Sequence, residues 1–372
     1  MILPGATLGV LGGGQLGRMF CVAARTMGYH TVILDPDPAS PAARVADDHI
    51  QADYTDKAAL DRLAECCDVI TTEFENVPAE SLKYLLEKKP VHPSSQAVEI
   101  AQNRIKEKNF AIAAGIAPAP FAAIYTEADL QQAVETIGFP AILKSSTLGY
   151  DGKGQFVVDD LARAVDAFRS MGSVESVLEK KLDLKKEISV LLARNVDGEV
   201  QCYSPAENEH RNGILHQSIV PARVDDEIAE EAIQKTIGLA TAMNYVGVLA
   251  VEFFITEDDQ LIFNEMAPRP HNSGHYTKDA SVTSQFEQQV RAICDLPPGD
   301  TRLLSPVVMV NMLGDLWDPD WSLLLSETGV KLHLYGKKEA RPGRKMGHFN
   351  VLDKDINNAI MKAEQLFIGL SR

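Results

Sequence analysis

Along residues 1 to about 90, apolar runs of strand length alternate with stretches of helical period, the order expected of βαβ units and a parallel sheet. Thr7-Leu8-Gly9-Val10-Leu11 leads into Gly12-Gly13-Gly14-Gln15-Leu16-Gly17. A helix is expected from there to about Gly28, followed by a second strand ending at Asp35. A third strand is expected over residues 68–75 and places Glu73 at its carboxyl end. Ligands of open parallel sheets gather at those ends, so Asp35 and Glu73 are candidate ligand contacts. From about residue 95 one helix is expected to run through Arg104 and Lys108 until Gly115 and the prolines at 118 and 120 stop it. That helix links two domains.

The middle of the chain carries the first chemistry. Ala141-Ile142-Leu143 reads as a buried strand with Lys144 at its polar end, and Gly149, Gly152 and Gly154 lie just beyond. Phe156-Val157-Val158 then returns as a second strand, so the glycines form a hairpin loop. Residues without Cβ let a backbone approach an anion closely, and a fixed ammonium beside them suits a nucleotide phosphate. A Walker A loop would lead into a helix instead. Residues 248–265 read as two apolar strands joined by Glu257-Asp258-Asp259-Gln260, with Thr256 opposing Leu261. Counting back in antiparallel register puts Glu252 opposite Glu265, with Cβ atoms about 5 Å apart. Two facing carboxylates in an apolar hairpin repel unless a divalent cation such as Mg²⁺ joins them. Two solvent-facing glutamates are the other reading, and a one-residue slip would break the pairing.

Composition narrows the class. With 372 residues the chain has room for two or three domains. A net charge of −16 and a pI near 5.0 disfavour nucleic acid as a partner. Five cysteines without CxxC spacing point to a reducing compartment, and neither a signal segment nor a membrane-length apolar run is visible. The expectation is a soluble cytoplasmic protein. Gly12-x-Gly14-x-x-Gly17 with Asp35 eighteen positions later is formally a dinucleotide fingerprint, which makes a nicotinamide-dependent oxidoreductase the rival function. The phosphate lysine and the paired carboxylates would have no task in such an enzyme. Near the C-terminus Lys337, Lys338, Arg341, Arg344 and Lys345 cluster around Pro342-Gly343, either as a solvated face or as a clamp for a dianionic group. A metal pair from His271 and His275 is disfavoured, because Pro270 and Gly274 argue against the helix that would align them.

Lys144, GYDGKGQ at 149–155, EKKL at 179–182, Glu187, Glu252 and Asn264-Glu265 together resemble the ATP-grasp superfamily. More narrowly, GGGQLGRM at 12–19, TTEFENVP at 71–78, RPHNSGH at 269–275 and RPGRKMGH at 341–348 resemble the 5-(carboxyamino)imidazole ribonucleotide synthases of purine biosynthesis. The resemblance implies an α/β fold: a Rossmann-like domain over 1–94, an ATP-grasp domain over 95–299 with a lid near 115–182, and a small C-terminal domain over 300–372. It implies ATP- and bicarbonate-dependent carboxylation of aminoimidazole ribonucleotide through carboxyphosphate, with Mg²⁺ and without biotin or NAD, in a homodimer. A formate-using glycinamide ribonucleotide transformylase relative and a nucleotide sensor without turnover are the alternatives.

By the same resemblance, Arg104, Lys144, Gly149, Gly152, Lys153, Gly154 and Gln155 belong to the ATP phosphates, and Glu179, Lys180, Lys181 and Leu182 to the adenine cleft. Glu187 falls to the ribose, His210 and Asn264 lie near the nucleotide, and Glu252 and Glu265 hold the metal. Tyr150 and Asp151 touch the second substrate, and Arg269 positions bicarbonate. His271, Asn272, Ser273 and His275, together with Gln15, Leu16, Asp35, Glu73, Asn76, Lys338, Arg341 and Lys345, contact the ribonucleotide.

Overall fold

The structure, a computed structural model, describes residues 1–147, 154–317 and 321–371. Its first sheet is parallel: β1 (Thr7–Leu11), β2 (His30–Leu34), β3 (Asp48–Ile50) and β4 (Val69–Thr72), in the order β3-β2-β1-β4. The short β3 has no hydrophobic run to announce it, so Glu73 follows the fourth strand rather than the third. Helix α1 (Gln15–Thr26) buries Leu16, Met19 and Phe20 against Phe286, Val290 and Ile293 of a helix far along the chain. That contact fixes the N-terminal sheet to the central domain. Helices α2 (Lys57–Cys66) and α3 (Ala79–Leu86) cover the other face. The single helix expected from residue 95 is two, α4 (Ser95–Ala101) and α5 (Arg104–Ala113). Asn103 separates them, because its side chain accepts from the amides of Ile105 (2.9 Å) and Lys106 (3.0 Å) and caps α5 in extended backbone.

A four-stranded antiparallel sheet follows, built from β5 (Phe121–Ile124), β6 (Ala141–Ser145), β7 (Gln155–Val158) and β8 (Ser176–Lys180) in the order β5-β8-β6-β7. Helices α6 (Glu127–Ile137) and α7 (Leu161–Ser170) pack on it around Leu130, Leu143 and Phe168. The third and largest sheet contains β9 (Leu184–Arg194), β10 (Val200–Cys202), β11 (Ala206–Arg211), β12 (Ile214–Val220), β13 (Gly247–Thr256) and β14 (Leu261–Ala267). Helices α8 (Asp226–Ala242), α9 (Thr277–Ala280) and α10 (Gln285–Ile293) belong to the same region. C-terminal strands β15 (Val307–Leu313), β16 (Val330–Leu334) and β17 (Lys345–Leu352) extend that sheet, because Gln217–Val220 of β12 pairs with Val307–Val310 of β15. The sheet therefore crosses the boundary expected at residue 300. Helix α11 (Ser322–Leu325) lies beside β16, and α12 (Ile356–Leu370) closes the last core over Val308, Val310 and Phe349. Residues 181–183 are the strap between the small sheet and the large one.

Candidate active site

The two glutamates of the central hairpin face each other, though by a different route from the one expected. Ile255, not Thr256, opposes Leu261, and Phe254 and Phe253 pair with Ile262 and Phe263. Continued unbroken, that register would set Glu252 against Asn264. A bulge between Glu252 and Phe253 leaves Asn264 as the extra residue and restores Glu252 opposite Glu265. Burial, then the charge of Glu265, pushes the Glu252 carboxyl up to about 7, with Glu187 adding to the effect. Asn264 Nδ2 donates to Glu252 Oε2 at 3.3 Å and Arg104 Nη1 to Glu265 Oε2 at 3.1 Å. Oxygen donors on a crowded pair of acids fit a hard divalent cation. Among the described residues no group of three or more His, Cys, Asp or Glu is placed to hold a metal. An ion completed by phosphate oxygens and water suits that donor set better than one caged by protein.

β9 carries the next acid on the same face. Ser189 pairs with Glu252 across the ladder, and Glu187, two residues earlier, projects to the same side. His210 Nδ1 lies 2.9 Å from Glu187 Oε2. Burial opposes a charge on His210, but Glu187 and Glu252 prevail and raise its pKa.

Lys144 stands where the strand pattern placed it, paired in register with Gln155 at the end of the hairpin. Its Nζ donates to Glu179 Oε2 at 2.8 Å, and Lys108 Nζ lies 3.2 Å from Glu179 Oε1, with all three side chains buried. Burial alone would raise the Glu179 carboxyl; the two lysines bring it down to about 2. The side chain of Glu179 is therefore the counter-ion of Lys144 and Lys108. The lysines outnumber it, so the group keeps a net positive charge toward an incoming phosphate. Lys180 is tied to the small sheet through Phe139 O (3.3 Å), while Lys181 and Leu182 begin the strap between sheets. Gly154 accepts from Ser145 N at 3.0 Å. Gly149, Tyr150, Asp151, Gly152 and Lys153 lie outside the described residues.

The N-terminal glycine loop holds a protein carboxylate. Glu73 accepts from Gly14 N and Gly17 N, both at 2.8 Å, at the start of α1. A Cβ on Gly14 would lie 2.6 Å from Glu73 Oε1, and one on Gly12, whose φ is +106°, would lie 2.4 Å from Glu73 Cγ. The glycines make room for Glu73, and amides that would otherwise meet a pyrophosphate already meet an anion. Asp35 likewise accepts from Gly13 N (2.7 Å) and Tyr54 Oη (2.8 Å), so both acids are held by the glycine loop and its surroundings. Leu16 is core, and Gln15 is half-buried on the first turn of α1.

Between the N-terminal sheet and β14 lies a polar cavity lined by Glu75, Asn76, Arg104, Glu265, Arg269 and His271 among others. Arg269 presents a fork to Glu75: Nη2 donates to Oε1 at 3.0 Å and Nε to Oε2. Burial would raise Glu75, yet Arg269 brings it to about 2. The rest of the motif turns inward. Asn272 and Asn311 of β15 exchange amide hydrogen bonds at 3.0 and 2.6 Å, and Ser273 and His275 are essentially without solvent contact. His275 sits among Phe286, Tyr335 and His348. Ser273 and His275 are corrected from ligand contacts to supports, because the turn Asn272–Gly274 folds them into the core.

The C-terminal basic run divides. Arg344 N donates to Arg341 O at 3.0 Å across Pro342-Gly343, and Gly343 has φ +73°, the turn that Pro-Gly favours. Arg341 is exposed and paired with Glu339 (2.6 Å), and Lys338 is exposed. Lys345 is half-buried at the start of β17, near enough to His271 for its charge to help depress the imidazole. Two participants gave no signal in the sequence, Ser189 and Glu107, while Glu75 lay within the motif at 71–78 without being singled out. Glu107 accepts from Met266 N at 2.6 Å, and burial followed by Glu265 pushes it up to about 8. On a helix of mixed charge it looked like any solvated acid.

A buried lysine at a strand end and a carboxylate pair, carried on two antiparallel sheets, go with an ATP-grasp protein, and the model of the ATP-grasp domain matches residues 109–286. The ribonucleotide synthetase preATP-grasp domain matches residues 5–102, and the phosphoribosylaminoimidazole carboxylase C-terminal domain matches 307–362. N5-carboxyaminoimidazole ribonucleotide synthase of Bacillus subtilis is 46% identical over 355 residues, 95% of this chain and 93% of that protein. A crystal structure of an ADP complex of N5-carboxyaminoimidazole ribonucleotide synthetase superposes with a TM-score of 0.94 at 47% identity, covering 99% of this chain and 98% of the other. The enzyme of Aspergillus clavatus in complex with ADP and 5-aminoimidazole ribonucleotide gives 0.91 at 33% identity, covering 99% of each chain. This chain belongs to the N5-carboxyaminoimidazole ribonucleotide synthase family.

Proposed function

We infer that this protein is the ligase that carboxylates 5-aminoimidazole ribonucleotide on its exocyclic amine, consuming ATP and bicarbonate in purine biosynthesis. The observation that carries the reading is the Glu252–Glu265 pair on the large sheet together with the buried Lys144–Glu179 pair on the small one, in a chain that a relative matches over 95% of its length. A bicarbonate oxygen attacks the γ-phosphorus and ADP leaves. The amine then attacks the carboxyphosphate carbon, inorganic phosphate leaves, and the amine loses a proton. Glu252 and Glu265 would hold Mg²⁺, which neutralises charge on the phosphoryl oxygens when bound. Lys144 and Arg104 pair with phosphate oxygens. Glu187, an acceptor-only carboxylate, suits the ribose hydroxyls, and His210 orients it. The strap at Lys181 and Leu182 suits the adenine edge, beside Lys180. Bicarbonate fits the cavity under Arg269, where it would compete with Glu75 for the fork. Lys345 is the best-placed cation for the ribonucleotide 5′-phosphate. A cytoplasmic homodimer accompanies this reading by resemblance alone.

With labelled bicarbonate, Mg-ATP and aminoimidazole ribonucleotide, label should enter an acid-labile carbamate in step with ADP release. Nicotinamide cofactors should change nothing. ADP release driven by formate and glycinamide ribonucleotide would replace this reading with the transformylase, and ATP binding without substrate-dependent turnover would replace it with a sensor.

A further inference from the structure

On the face that carries Glu252 runs a chain of buried hydroxyls that ends on His271. The imidazole caps its own short turn: Ser273 N approaches His271 Nδ1 at 3.4 Å, and Ser273 Oγ lies 2.9 Å from the same nitrogen. Ser189 Oγ of β9 lies 2.7 Å from Ser273 Oγ, and neither serine has any solvent exposure. The main chain is held as well, since His271 N donates to Gln285 Oε1 and Gln285 Nε2 donates to His271 O, each at 2.8 Å.

These contacts can be satisfied in one direction only. A backbone amide donates and never accepts, so Nδ1 must present its lone pair and the ring proton must sit on Nε2. Ser273 has a single proton, which then goes to Nδ1, and the hydroxyl contact must have Ser189 as its donor. In the opposite tautomer Nδ1–H would confront the Ser273 amide. The two hydroxyls could reverse, with Ser273 donating to Ser189, but the Ser273 N–H would still point at Nδ1–H in a dry core, which is costly. At the other end of the ring, Nε2 lies 3.6 Å from Glu252 Oε1, beyond hydrogen-bond reach, and His271 lines the cavity together with Arg104, Arg269 and Glu265.

We propose that Ser189, acting through Ser273, is a positioning residue that locks His271 as a neutral Nε2–H donor aimed at an oxyanion in this cavity. His271 so held is neither a proton acceptor at Nε2 nor a metal ligand there. It supplies one fixed hydrogen bond to a carboxy or phosphoryl oxygen, and its direction is set by a strand that also carries Glu187. Burial and the neighbouring cations Arg269 and Lys345 keep the ring neutral, in agreement with this geometry. The proposal rests on the ligase reading for its oxyanion, and on the hydrogen-bond directions alone for its tautomer.

Nitrogen-15 NMR of the histidine-labelled full chain tests the tautomer directly. In the wild type, His271 should show Nδ1 as an unprotonated nitrogen and Nε2 as an N–H at pH 7.5. A protonated Nδ1 overturns the proposal. In Ser189→Ala, a second tautomer should appear, and kcat should fall roughly fivefold with KM for ATP unchanged, the loss expected of one neutral hydrogen bond. Ser189→Thr, which keeps the hydroxyl, should restore both. A Ser189→Ala protein with wild-type tautomer and kcat removes Ser189 from the role. Should that variant fail to fold, the wild-type spectrum and Ser273→Ala, which should likewise mix the tautomers, decide the matter. If the wild type does not carboxylate the ribonucleotide at all, the ligase reading fails, while the spectra still decide the tautomer.

Discussion

Glu252 and Glu265 stand opposite each other only because Asn264 is bulged out of the ladder between them. The hairpin tip alone would have paired Glu252 with an amide. The bulge thus places two like charges together in a partly buried site, an arrangement that costs stability until a cation arrives.

Replacing either acid separates those two effects. Glu265→Gln and Glu252→Gln should each lower turnover at least a hundredfold, about 2.7 kcal/mol of transition-state stabilisation, in a folded protein. In the absence of nucleotide and metal, Glu252→Gln should be more stable than the wild type at pH 8 by on the order of 1–3 kcal/mol, since it removes one member of a repelling buried pair. Denaturant melts and ADP-release assays read the two sides. Near-normal turnover in either variant would end the metal assignment.

Glu107 is held up at about 8 while its Oε1 accepts from Met266 N. A protonated acid is mimicked by an amide, so Glu107→Gln should keep its melting temperature within a few degrees and its activity within a few-fold. Glu107→Leu leaves the Met266 amide without its partner and should cost about 1–3 kcal/mol. Equal destabilisation by the two changes would mean that Glu107 carries a needed charge.

Lys345 and Arg341 should part company. Lys345→Ala is expected to raise KM for the ribonucleotide roughly tenfold or more, the worth of one charge-assisted contact, with KM for ATP nearly unchanged. Arg341→Ala, which removes an exposed side chain paired with Glu339, should raise it less than threefold. Steady-state kinetics in both substrates check this, and the reverse ranking would return the clamp to Arg341.

Acid should unfold this protein early. Burial, with Arg211 adding, pushes His216 down to about 4, and burial holds His275 and His348 well below the ordinary histidine value. Their unfolded forms titrate near 6.5, so below about pH 6.5 the unfolded chain binds protons that the folded one refuses. Stability from these groups is therefore complete above that pH and is lost progressively as pH falls, by about 2 kcal/mol per group at pH 5. His210, raised by Glu187, works in the opposite sense. His216→Gln should make the loss between pH 7 and 5 shallower by about 2 kcal/mol in denaturant melts. An unchanged slope would show that His216 is protonated in the folded state.

Much of this was legible along the chain because it is local. Strand runs, the lysine at the end of Ala141–Ser145 and the Pro-Gly turn follow from side-chain alternation and backbone preference over a few residues. So does the facing of Glu252 and Glu265, although the register that predicts it is off by one at the tip and is put right by a bulge that no propensity marks. Family motifs carried the rest of the chemistry by resemblance. What the tertiary structure alone decided are the contacts between distant segments. Glu73 fills a glycine loop that reads as a phosphate site, Glu179 serves Lys144 and Lys108, Glu75 holds Arg269, and Ser189 reaches His271 through Ser273. The physical reason is common to all four. A charged or polar side chain in a sequence looks solvated, and only the packing of separate elements removes its water and gives it one partner, which then sets its charge, its direction and its task.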